Sequence, residues 1–203
     1  MIVKYIYSHL NGLEWLKVHK LNLWEEIIDS IQNVDSGICK TKISQEKTMR
    51  GKVLFSPQTM NREIKKELDK RGWCEKRINY YVTEDENITS DIINFGEDDQ
   101  KKTILSNNLV PIHSYHQTDF VKDKVSIEVQ FGKYPFIEFD LFVKHLGFYH
   151  SKMIDLGVEI VPTKNLQNQM SSGPGYYERT LTHILRNGRG TPPVPLILIG
   201  VDS

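Results

Sequence analysis

YHQTDFVKDKVSIEVQFGKYPF, residues 115 to 136, carries two strand-like runs joined at Asp123-Lys124. Ile127, Val129 and Phe131 alternate with Glu128 and Gln130, the period-2 pattern of a strand buried on one face. With Asp123-Lys124 as a two-residue hairpin turn, the register sets Asp119 directly opposite Glu128. Side chains so placed have Cβ atoms roughly 5 Å apart, and like charges there destabilise the sheet. Two facing carboxylates ask for a proton, a basic partner or a metal cation. Gln130 joins them on the same face. The plainer alternative is the solvated face of an antiparallel hairpin, and spacing alone leaves both open.

Downstream, Pro135 sits near a helix start, and an aromatic-rich run follows to about Lys152. Phe136, Ile137, Phe139, Leu141, Phe142, Val143, Leu146 and Phe148 leave it almost no polar face, as in a helix sandwiched between layers or used in an oligomer interface. Leu156 to Val161 is the next strand, so strand–helix–strand predicts a right-handed parallel crossover. Tyr176 to Asn187 reads as a helix stopped by Gly188. VPLILIGV, residues 194 to 201, is the continuous apolar run of a strand buried on both faces.

Upstream, Met1 to Tyr7 alternates weakly, as an edge strand does. Asn22 with Glu25 forms a capping-box pattern before a helix whose apolar face is Trp24, Ile27, Ile28 and Ile31. Residues 36 to 53 are polar and basic and read as a long loop or short strands. Ser56-Pro57 opens a helix striped by Met60, Ile64 and Leu68, with Gly72 as its stop. Ile78 to Thr83 is a strand. Residues 84 to 110 read as an acidic, irregular excursion from one domain spanning 1–203. The elements add up to an α/β fold: a mixed central sheet, an antiparallel hairpin at its heart, and helices on both faces.

A chain of 203 residues suffices for a real core. Lys+Arg 26 balance Asp+Glu 26, which argues against a nonspecific polyanion binder, although distribution decides what a local groove attracts. From Lys40 to Arg77 there are twelve Lys/Arg against five Asp/Glu; from Glu84 to Asp99 there are seven acids and no base. Cys39 and Cys74 are too few for a disulfide framework, and neither they nor the seven His residues show metal-ligand spacing. No leader pattern and no apolar run of membrane length stands out, so a soluble cytoplasmic protein is expected.

Thr118-Asp119-Phe120, then Ile127-Glu128-Val129-Gln130-Phe131, then Tyr134-Pro135-Phe136 together resemble the PD-(D/E)xK nuclease fold. The specific likeness is to type II restriction endonucleases of the BglII and BstYI group. It extends to LFSPQTMNREIKKELDKRGW, residues 54 to 73, and to the helix start at Tyr176-Tyr177-Glu178. The general pattern has Lys where this chain has Gln130, so the task of a cation there passes to the Gln130 amide, to the metal or to another residue. Near Trp73 the likeness hints at a further polar group and leaves Glu75, Lys76 and Asn79 open.

The resemblance implies a restriction-modification enzyme: a homodimer that binds double-stranded DNA, uses Mg²⁺, and is partnered by a methyltransferase protecting host sites. It implies Asp119, Glu128 and Gln130 as catalytic residues, with Asp119, Glu128 and the Val129 carbonyl as metal ligands. It points to a palindrome with central GATC, such as purine-GATC-pyrimidine, cut before the G. Lys133, directly after the catalytic strand, is placed to reach a base edge or phosphate. Ser171, Ser172 and Gly173, ahead of a helix, allow close backbone approach to DNA. Lys47 and Arg50 mark a basic loop. The rival readings are a non-cleaving DNA-binding protein on the same fold and a hydrolase of small phosphate esters; juxtaposed acids disfavour the first and the basic block the second.

Overall fold

The computed structural model describes residues 1–203 apart from Glu46, Thr48 and Ser172. The chain runs through β1 (Ile2–His9), α1 (Gly12–His19), α2 (Leu21–Gln32), a 3-10 turn (Ser36–Cys39) and a small hairpin, β2 (Lys42–Ile43) with β3 (Val53–Leu54). Then come α3 (Pro57–Asp69), β4 (Cys74–Val82), α4 (Glu86–Ile92), α5 (Glu97–Ser106), β5 (Ile112–Lys122) and β6 (Val125–Val129). The next helical stretch has three parts: α6 (Pro135–Phe139), a π turn (Asp140–Lys144) and α7 (His145–His150). They are followed by β7 (Leu156–Pro162), α8 (Lys164–Gln167), α9 (Tyr177–Arg186) and β8 (Leu196–Asp202).

The main sheet has the order β1-β8-β7-β6-β5-β4. Strands β6, β7 and β8 run parallel, while β1/β8 and β5/β6 are antiparallel, so the sheet is mixed as expected. Contacts divide the chain into two units, Met1–Glu75 with Asp119–Ser203, and Lys76–Thr118.

Strand parity explains the first unit. On β8, Ile197, Ile199 and Val201 belong to a core shared with Leu16 of α1, Ile27 and Ile31 of α2, and Met60 and Ile64 of α3. Leu196 and Leu198, the alternate residues, pack with Ile137, Leu141, Tyr177 and Ile184 on the other face. Burial on both faces is what an uninterrupted Leu/Ile run supplies. Gly72 ends α3 at φ 80° and Gly188 follows α9 at φ 88°, left-handed positions that glycine adopts without strain.

Two local expectations need correction. Helix α2 begins at Leu21 with Lys20 as its N-cap and no side-chain cap, so Asn22 is not a capping residue. The reason is α1: Lys20 N–H still bonds to Leu16 O of that preceding helix, so the chain turns directly from one helix into the next. Gly12 of α1 lies where an added Cβ would come within 2.8 Å of Leu196 O, so this helix start lies hard against β8.

In the second unit, the stretch expected to be irregular carries α4 and α5. Its acids sit where helix N-termini favour them: Asp85 accepts from Asn87 N and Ile88 N, and Glu97, Asp98 and Asp99 fill the first turn of α5. Buried Gln100 ties this unit together, accepting from Tyr81 N at 2.8 Å and donating to Ile92 O at 3.2 Å.

Candidate active site

The hairpin at residues 119 to 129 closes through Asp123 at φ 44° and Lys124 at φ 60°, the doubly positive turn that matches strand twist. Phe120 pairs with Ile127, Val121 with Ser126 and Lys122 with Val125. One step further along that register, Asp119 Oδ2 accepts from Val129 N at 3.3 Å. At the turn end, Lys122 Nζ lies 2.8 Å from Glu26 of α2 and donates to Arg71 O at 2.7 Å, tying the hairpin to the helix layer.

The hairpin's polar face is not solvated. Ser126 and Glu128 are buried, the latter 1% exposed, because the π turn and α7 cover them. Lys144 Nζ lies 2.8 Å from Glu128 Oε2 and 2.8 Å from Asp140 Oδ1. Gln130 Nε2 donates to Asp140 Oδ2 at 3.0 Å, and Gln130 Oε1 accepts from Gly132 N at 3.0 Å. Glu128 Oε1 is buried without a hydrogen-bond partner. Asp119 is exposed.

Burial first, then the Asp119 charge, pushes the Glu128 carboxyl up to about 8 against the pull of Lys144. Burial also raises Asp140, again opposed by Lys144. For Lys144 itself, burial works downward but the charges of Glu128 and Asp140 outweigh it and raise its pKa. Deeper in, Glu159 pairs in register with Glu128 on β7, and neither of its oxygens has a hydrogen-bond partner. Burial raises its pKa well above the carboxylate range, with Asp140 and Glu128 adding to the effect. His145, driven down to about 3 by burial and Lys144, is neutral near pH 7, so its 3.4 Å approach to Glu159 is no ion pair.

Beside the Asp119 end of the hairpin, a cavity of about 220 Å³ is lined by Asn61, Arg62, Lys65, Glu75, Asp119, Phe120 and Val129. Of Glu75, Lys76 and Asn79, left open near Trp73, Glu75 lines the same cavity as Asp119. Its charge meets Lys65 at 3.8 Å.

The structure therefore brings Asp119, Glu128, Val129 and Gln130 together at one end of the hairpin. Lys133 is exposed, and a backbone bridge from Lys133 to Pro174 joins its loop to the one carrying Ser171 and Gly173. Ser171 is buried and donates from its N–H to Phe55 O at 3.3 Å; Gly173 is exposed at φ 54°. Ser172 lies outside the described residues. Lys47 and Arg50 are exposed in the turn joining β2 to β3, a different element from the carboxylate hairpin. Asp140 and Lys144 are the residues that sequence reasoning missed. Their signal was a charged pair at i,i+4 inside an otherwise apolar helix.

Mixed-sheet topology with a buried acid on an inner strand beside an exposed acid on its hairpin partner is the restriction endonuclease fold. The model of the family "Restriction endonuclease BglII/BglIII" matches residues 5–201, and the chain belongs to that family. Its members are type II site-specific deoxyribonucleases. The crystal structure of restriction endonuclease BglII complexed with a DNA 16-mer is similar at TM-score 0.67 and 21% identity, covering 100% of this chain and 79% of that one. The crystal structure of free BglII gives 0.60 and 20%, covering 100% and 80%. No curated protein matches. Among the described residues, no helix is long and apolar enough to cross a membrane.

Proposed function

We propose that this endonuclease acts as a Mg²⁺-dependent homodimer that hydrolyses double-stranded DNA at a GATC-centred palindrome such as purine-GATC-pyrimidine, cutting before the G. The observation behind the chemistry is the Asp119–Glu128 pair with Glu128 Oε1 buried and unpartnered. Burial holds a proton on Glu128; once a divalent cation displaces it, the three carboxylates Asp119, Glu128 and Asp140 against the one ammonium of Lys144 present two negative charges, which that cation neutralises. Among the described residues no cluster of three or more His, Cys, Asp or Glu side chains could hold a metal. A sparse site suits Mg²⁺, which keeps several waters. Asp119, Glu128 and the Val129 carbonyl would hold the ion, which supplies charge neutralisation at the phosphate and an activated water.

The chain's own groups do the rest. Gln130, clamped by Asp140 and Gly132, keeps one N–H and one lone pair with which to orient the attacking water. Arg62 and Lys65, lining the cavity beside Asp119, oppose phosphate charge. Lys133, Ser171, Ser172 and Gly173 are the candidate base readers, and Lys47 and Arg50 the candidates for phosphates further out. The likeness to BglII in complex with a DNA 16-mer supports a DNA substrate. A cognate methyltransferase protecting host sites and a cytoplasmic place of action belong to the same reading.

The test is digestion of a sequenced plasmid with Mg²⁺ and with a chelator. Discrete Mg²⁺-dependent fragments ending at GATC-centred sites are expected. A smear would remove the specificity, and uncut DNA retarded on a native gel would replace the enzyme with a binder.

A further inference from the structure

We infer that Lys144 supplies the cation displaced from position 130: a positioning residue that grips Glu128 by Oε2, leaves Oε1 for a ligand, and links it through Asp140 to the Gln130 amide. The inference rests on the catalytic reading given above. Its observations are independent of that reading. Nζ stands 2.8 Å from each of two carboxylates that lie on different elements, β6 and the π turn. Asp140 uses its second oxygen on Gln130, so Glu128, Lys144, Asp140 and Gln130 form one continuous chain of charge-assisted contacts.

Geometry explains how the position can move. A lysine at 130 would have to reach the acids along its own strand. Here Lys144 descends on them from the helix that covers the strand. A π turn spans Asp140–Lys144, closed by His145 N–H on Asp140 O, and such widened turns concentrate at functional sites. The side chain of Lys144 is 13% exposed, and those of Glu128 and Asp140 are 2% and 3% exposed. An ammonium so enclosed is held by its partners, not parked at the surface. Lys144 acts on the metal and the water through Glu128 and Asp140, the two groups that its Nζ grips. Orienting partners of metal-binding carboxylates typically carry about 10- to 100-fold in metal affinity or activity.

The experiment compares wild type, Lys144→Met, Lys144→Arg and Asp140→Asn. Readouts are thermal unfolding, Ca²⁺ binding by calorimetry without turnover, and steady-state cleavage in Mg²⁺. For Lys144→Met we expect a folded protein with Ca²⁺ binding and kcat each reduced about 10- to 100-fold at unchanged KM for DNA, and largely recovered in Lys144→Arg. A folded Lys144→Met with wild-type Ca²⁺ affinity and kcat overturns the inference, as does a loss confined to KM. If Lys144→Met does not fold, Asp140→Asn decides: reduced kcat with unchanged KM supports the linkage, and a wild-type kcat overturns it. Failure of the underlying reading looks different, because Glu128→Gln would then cut normally whatever the Lys144 variants do.

Discussion

Asp119 and Glu128 differ in surroundings although both stand at the same end of the hairpin: one is exposed, the other buried. The buried acid carries a pH signature. Its ordinary value is 4.5 and the fold pushes it up to about 8, burial first and Asp119 second. Between those values the folded chain holds a proton that the unfolded chain has released. Glu128's contribution to stability is therefore complete below about 4.5 and is lost as pH rises through about 8, at up to about 1.4 kcal/mol per pH unit for one proton. Thermal unfolding in chelator from pH 5 to pH 9 should show falling stability, with a shallower fall in Glu128→Gln. Glu159, raised in the same direction, keeps its own share of the slope in both proteins. Equal slopes would mean that Glu128 is ionised throughout. In cleavage assays, Asp119→Asn and Glu128→Gln should each abolish cutting while native gels still show DNA binding. Normal cutting by either would remove that residue from the chemistry.

At the level of elements, the carboxylate-bearing hairpin turns on two residues with positive φ, neither of them glycine. A left-handed conformation costs an ordinary L-residue about 1–2 kcal/mol, and glycine's looser unfolded state returns about 0.5–1 kcal/mol of any gain. Lys124 is exposed, and its ion pair with Asp155 at 4.0 Å adds little. Lys124→Gly should therefore stabilise the protein by about 0.5–1 kcal/mol, with the denaturation midpoint rising and activity unchanged. A lowered midpoint would show that Lys124 does more than close the turn. This hairpin was legible in the sequence because a two-residue loop sets register and register sets which side chains face each other. The parallel strands β7 and β8 were legible for a related reason, since burial on both faces leaves a contiguous apolar run. The Lys144 clamp left only an i,i+4 charge pair in the sequence, with nothing to say what it would grip. It depends on which turn of a covering helix lands on the acids, and a sequence period of 3.6 does not reveal a π turn. The helices at 86–92 and 97–106 were hidden differently: their acids looked like a solvated excursion and are first-turn charges and caps.

At the scale of the whole molecule, the palindromic target proposed above would call for two copies of the site related by a two-fold axis. We propose helices α6 and α9 as the surface. His183 Nδ1 lies 2.7 Å from Glu138 Oε1, and the Arg179 guanidinium sits 4.3 Å from the Tyr134 ring centre, so the two helices stand side by side. The residues they turn inward, Ile137 and Ile184, are buried with Leu141 of the π turn, yet Phe136 at 53%, Phe139 at 43% and Leu185 at 58% remain exposed. Large aromatics left outward next to a sealed core mark a face that gains by burial against a second surface. The aromatic run from 136 to 148 pointed at this possibility because its apolar residues outnumber those one helix face can bury. Sedimentation of the wild type should give twice the 23.6 kDa of one chain. Phe136→Glu combined with Phe139→Glu should weaken self-association by at least about 30-fold, the loss of a central aromatic anchor. The variant should then sediment near 23.6 kDa and lose coordinated cutting of the two strands, while the Asp119 hairpin folds normally. A variant that stays dimeric would move the interface elsewhere, and a wild type that sediments as a monomer while cutting both strands would overturn the two-fold reading.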